Sequence, residues 1–81
     1  MVSSIQIRAG RALLKWTAQD LANKAGVAVS TIRRIELIEG VPNINKSTLL
    51  AIKLAFKSAH VEFIGEPDKN PGVRLITQRD T

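Results

Sequence analysis

The sequence predicts a mainly α-helical bundle closed by a small C-terminal β-hairpin, and three observations carry that prediction. Apolar residues recur at helical spacing through the first three-quarters of the chain, and hydroxyl, acidic and amide residues stand where those segments would begin. At Val61 the pattern turns to short alternating runs rich in β-branched residues. With 81 residues, the chain suffices for one compact core and is too short for two.

Ser3 or Ser4 caps a first helix that runs to about Lys15, with Ile5, Ala9, Ala12 and Leu13 at the spacing of one apolar face. Trp16 closes it. Thr17, followed three residues on by Asp20, forms an acidic variant of the capping box and opens a short helix through Ala25. Gly26 supplies a residue that takes a positive φ at a helix end. Only Val27 and Ala28 separate it from a third helical pattern, in which Ile32 and Ile35 face inward and Arg33 and Arg34 do not. Two short helices joined by a glycine-containing turn make a helix-turn-helix.

Gly40, Pro42 and Asn43 mark a loop. Asn45 or Ser47 caps a fourth helix that reaches Ala59 or His60 and carries two apolar stripes, Leu49, Ile52 and Phe56 on one, Leu50, Leu54 and Val61 on the other. One stripe serves the core; the second needs the C-terminal segment or another subunit to cover it. Val61 to Ile64 and Val73 to Ile76 are expected as strands, separated by a long loop from Gly65 to Gly72 that is dense in turn formers. A lone two-stranded hairpin is barely stable, so this one must pack on the helices, pair with a second copy, or both. Thr77 to Thr81 form a tail with nothing to bury. The chain thus divides into residues 1–60, the helix-turn-helix domain, and residues 61–81, a hairpin and dimerisation segment with a short tail.

Twelve basic residues against seven acidic ones give a net charge of +5. The surplus is uneven, with nine Lys or Arg against three Asp or Glu from Met1 to His60, and three against four beyond. Positive charge concentrated in one module is the footprint of a polyanion binder. Cysteine is absent and His60 is the single histidine, placed where it caps helix carbonyls. No metal, no cofactor and no enzymatic activity are expected from such a set. The N-terminus lacks the apolar stretch of a signal peptide, and no apolar run approaches the roughly 20 residues that span a bilayer. A cytoplasmic protein with no membrane partner is expected.

Several features at fixed spacing then coincide: Leu21-Ala22 in the first motif helix, Gly26-Val27 at the turn, Ser30-Thr31-Ile32 entering the second, Ile35-Glu36 near its end, and the later Thr48-Leu49-Leu50-Ala51-Ile52. Together they resemble the lambda-repressor-like helix-turn-helix family (Cro/C1-type, also called XRE) over roughly Ile7 to Phe56. The resemblance implies a bundle of four to five helices that binds double-stranded DNA. It also implies a structural ion pair between Arg11 and Glu36, and a second motif helix that reads the major groove.

On that helix Val29, Ser30, Thr31, Arg33 and Arg34 are the base-reading candidates. Arg33 or Arg34 suits guanine, Ser30 a base or a phosphate, and Val29 a thymine methyl. Thr17, Gln19, Lys24 and Lys46 are the phosphate candidates. Two positions depart from the family pattern. Ala18 stands where a glutamine usually opens the first motif helix, with Gln19 following, and Ala28 replaces the serine that often caps the reading helix.

A reader of this kind is expected to act as a homodimer and a transcriptional repressor on a pseudo-palindromic operator. Leu50, Leu54, Val61, Phe63, Val73 and Leu75 are the interface candidates. The alternative is a protein-interaction module, an antitoxin or antiactivator built on the same motif, with another protein as partner; the second stripe of the fourth helix and the hairpin edge motivate it.

Overall fold

Helices need partners for the amides their first turns leave unpaired, and three of the four here begin at a side chain that supplies one. The computed structural model describes residues 2–77. In it α1 spans Ser4–Leu14, α2 Ala18–Ala25, α3 Val29–Leu37 and α4 Lys46–Ser58, followed by strands β1, Val61–Glu66, and β2, Lys69–Leu75. Ser3 and Gln6 form a reciprocal capping box at α1, as Thr17 and Asp20 do at α2, and Asn45 accepts the Thr48 amide at α4. α3 starts at Ala28 with no side-chain cap. Gly26 takes a φ of 72° at the end of α2, the left-handed conformation expected of it. His60 caps the α4 end through its backbone, donating its amide to the Lys57 carbonyl. The tail at residues 78–81 lies outside the described residues.

The buried face of α1 differs from the one that apolar spacing selects. Ile5 is 59% exposed and Leu13 40% exposed, and Ala12 is exposed as well. The face turned inward holds Ser4, Gln6, Ile7 and Gly10. Two polar side chains survive there because their polar atoms are bonded. Ser4 Oγ donates to the Ile35 carbonyl at 2.7 Å, and Gln6 Nε2 donates to the carbonyls of Ile64 and Gly72 at 3.0 and 3.1 Å. Gly10 completes the face by letting α1 approach the Phe56 ring.

Phe56 lies at the centre of the core with Ile7, Leu21, Ile32, Ile35 and Ile52, all fully buried. Its ring stacks on Trp16 with centroids 5.7 Å apart and meets Phe63 of β1 edge-on at 5.3 Å. The hairpin is therefore joined to the helices through the core. Val61, expected on the second stripe of α4 and at a dimer interface, is instead 5% exposed in that core, and Phe63 and Val73 pack against it. Leu50, Leu54 and Leu75 are the interface candidates that stay exposed.

The connection between the strands also differs from expectation. The ladder continues through Glu66↔Lys69, so Pro67 and Asp68 alone form the tip in place of a loop from Gly65 to Gly72, and Ile76 falls just outside β2. An irregularity between Ile64 and Glu66 allows this, with Gly65 at a φ of 74° and Asn70 at 55°. A Cβ on Gly65 would fall 2.0 Å from the Asn70 carbonyl oxygen, so the turn formers act here as a bulge within the ladder.

Gly10→Ala would place a Cβ 2.9 Å from Phe56 Cε1. We expect it to lower stability in urea denaturation by about 1 to 3 kcal/mol, although alanine is the better helix former. Unchanged or raised stability would contradict the close approach of α1 to Phe56.

Candidate nucleic-acid interface

An α-helix offers a readable face only if its opposite face is fixed to the rest of the molecule. α3 meets that condition along its length. Ile32 and Ile35 are fully buried, and Val27 and Val29 pack against the core at its N-terminal end. The Val27 amide donates to the Ala22 carbonyl at 3.0 Å, which closes the turn from α2.

At the C-terminal end the Arg11 guanidinium grips Glu36 in a two-pronged pair, with Nε and Nη2 each 2.7 Å from a carboxylate oxygen, and Nη1 donates to the Trp16 carbonyl at 2.9 Å. Both side chains are largely shielded from water. The Glu36 hydrogen bond, reinforced by its charge, holds the Arg11 guanidinium above the ordinary arginine range against the opposing effect of burial. A raised basic pKa stabilises the fold below the ordinary value and fades only as pH climbs past it, so the arginine stays charged throughout the neutral range.

The outward face of α3 carries Ser30, Arg33 and Arg34, all exposed, with Thr31 half-buried beside them. Among the described residues neither Arg33 nor Arg34 takes part in an ion pair. Val29, expected to be exposed, is half-buried; the first turn of α3 tilts it towards the core, and only part of its side chain reaches the outer face.

A family model described as Helix-turn-helix matches residues 7–58, from the first turn of α1 to the end of α4. The chain belongs to the helix-turn-helix family. It is of the Cro/C1 (XRE) type, a DNA-binding regulator, and its family consists of DNA-binding regulatory domains rather than enzymes. No curated protein and no solved structure matches the chain. No helix among the described residues is long and apolar enough to cross a membrane.

Around this helix-turn-helix the phosphate candidates fall into distinct settings. Thr17 Oγ1 accepts the Asp20 amide at 3.0 Å, and the Asp20 carboxylate accepts the Thr17 amide at 2.8 Å. The Thr17 amide and hydroxyl are thus both engaged in the capping box that opens α2. Gln19 is exposed, and its amide donates to Asn23 one turn along at 2.9 Å. Lys24 sits in the last turn of α2, where the helix dipole favours it, with Nζ 5.8 Å from the Trp16 ring centroid. Its position has a structural reason. Lys46 does not: it is the first residue of α4, exposed, where the dipole disfavours a cation.

Ser4 and Gln6 are the functional supports that apolar periodicity misses, since Ser4 ties α1 to the last turn of α3 and Gln6 ties it to the hairpin. The Ser-x-x-Gln spacing of a capping box marks Gln6 in the sequence; nothing comparable marks Ser4.

Arg11→Ala and Glu36→Ala are each expected to destabilise the fold, and the double-mutant cycle in urea to give a coupling of about 1 to 3 kcal/mol. Additive effects would mean that the pair does not act as a unit. Ala28→Ser should supply the missing cap and raise stability by about 1 kcal/mol, measured the same way; no gain would place the limit on α3 elsewhere than at its uncapped end.

Proposed function

We propose that the protein reads a specific double-stranded DNA sequence with α3 and represses transcription as a homodimer on a pseudo-palindromic operator. The observation that carries this reading is the contrast between the two faces of α3. Its inner face is locked by Ile32, Ile35 and the Arg11–Glu36 pair, while Ser30, Arg33 and Arg34 point to solvent with no ion-pair partner among the described residues. A helix of this kind fits the major groove, where an arginine bonds guanine through O6 and N7 and a serine bonds a base or a phosphate. Thr31 and the exposed edge of Val29 complete the reading set at the groove entrance.

Phosphate contacts fix the register of such a helix. Gln19 at the start of α2 and Lys46 at the start of α4 suit that role best, because neither position gains much for the fold itself. One module reads only a few base pairs, and two modules about 34 Å apart read matching half-sites on one face of the duplex. Repression then follows from occupancy, since promoter DNA that is covered by the dimer is closed to other proteins.

Gel-shift titration against DNA from upstream of its own gene, at two salt concentrations, tests this reading. The expected result is specific binding that weakens steeply with salt; no DNA binding would favour the protein-interaction alternative. Arg34→Ala should lose about 1 to 3 kcal/mol of specific binding and relax the preference at one base, whereas Lys46→Ala should weaken all sequences alike and reduce the salt slope by about 1. Unchanged affinity in Arg34→Ala would remove that residue from the reading set.

A further inference from the structure

The last residue of α3, Leu37, is 84% exposed, more than any other large apolar side chain among the described residues. At about 100° per residue it falls about 20° from Ser30 around the helix and between the directions of Arg33 and Arg34, opposite the buried Ile32 and Ile35. The rung that carries it is fixed. The Ile35 carbonyl accepts bonds from Ser4 Oγ at 2.7 Å and from the Ile38 amide at 3.2 Å, and Glu36 is gripped by Arg11. A rigid end of the helix thus presents a leucine that the fold itself does not cover.

We infer that Leu37 is a specificity-determining residue that recognises the C5 methyl group of a thymine in the major groove. The inference deepens the DNA reading above and rests on it. Leucine has no hydrogen-bonding group, so against guanine, adenine or cytosine it would cover a donor or acceptor and leave it unpaired. Thymine alone among the four bases offers an apolar group at that edge. The two arginines bracket the leucine, and neither has an ion-pair partner among the described residues. Whatever covers this face must therefore be anionic or rich in acceptors around one apolar point, which a thymine within a duplex supplies through its methyl, the neighbouring bases and the phosphates. A protein that engaged Leu37 together with Ile5 and Ile38, which line a shallow depression with it, is the competing occupant. Leu37 stands three residues beyond Arg34, roughly 4.5 Å along the helix axis, so the thymine is placed within about two base pairs of the base that Arg34 reads.

Fluorescence anisotropy with a duplex that the wild-type protein enriches from a randomised pool tests the inference. Each thymine is replaced in turn by deoxyuridine, which pairs identically and lacks only the methyl group. One replacement, within about two base pairs of the position that Arg34→Ala relaxes, is expected to weaken wild-type binding about three- to tenfold. Leu37→Ala, a change at an exposed position whose folding is checked by circular dichroism, should lose at least as much on the unmodified duplex and show no further loss with that replacement. Lys46→Ala should bind every duplex more weakly and keep the penalty, because a phosphate contact is blind to the methyl. A site with no thymine at that position, a wild type indifferent to every replacement, or a Leu37→Ala variant that keeps the penalty would overturn the inference. Full affinity in Leu37→Ala would also overturn it and assign the leucine to a protein partner. Failure to enrich any duplex would refute the DNA reading itself, and this inference with it, which separates that failure from the others.

Discussion

The Arg11–Glu36 pair is the constraint on which the orientation of α3 depends. The apolar inner face of that helix, Ile32 and Ile35, fixes its distance from the core but resists sliding or rotation weakly, because dispersion contacts have little direction. The two parallel hydrogen bonds from Arg11 define a direction, and the third bond, to the Trp16 carbonyl, anchors the guanidinium to the turn between α1 and α2. One side chain thereby ties α1 and α3 to the turn that leads into α2. Ser4, bonded to the Ile35 carbonyl one residue earlier, adds a second fixed point at the same end. Reading DNA requires side chains to be held in place before contact, and this cluster holds the C-terminal half of α3 while leaving its outer face empty.

The hairpin takes part in the same architecture. Phe56 receives Gly10 from α1, Trp16 from the turn and Phe63 from β1, so the strands and the helices share one ring as their common contact. Gln6 adds a polar connection by donating both hydrogens of its amide to facing carbonyls of the two strands. A short hairpin of this kind gains stability from the bundle.

Much of this was legible in the residues, and the misreadings have physical causes. Capping residues and Gly26 located α2 and the turn because those signals are local, set by backbone amides within a few positions. The family resemblance implies the Arg11–Glu36 pair, and helical spacing marks Ile32 and Ile35 as the inner face of α3. The α1 face was misread because spacing counts apolar residues, whereas the helix buries two satisfied polar side chains and a glycine chosen by the shape of Phe56. The long loop was misread because Gly65 and Asn70 look like loop residues, yet their positive φ values serve a bulge inside a continuous ladder. Helical spacing alone puts Val61 on an exposed stripe, because it does not show that His60, at a φ of 67°, turns the chain just before the valine, which is buried. For α1 the deciding contacts lie far along the chain, at Ile35, Phe56 and the hairpin carbonyls, whereas at Val61 and the hairpin tip they are backbone conformations of near neighbours that residue type alone does not specify.

The central claim is that the outer face of α3 is the surface that meets DNA, and amide chemical-shift mapping tests it most directly. Titration of isotope-labelled protein with a short duplex at low salt should move the resonances of Ser30, Thr31, Arg33 and Arg34, together with those at the start of α2, and leave the hairpin unperturbed. Shifts concentrated in the hairpin, with α3 silent, would contradict that claim.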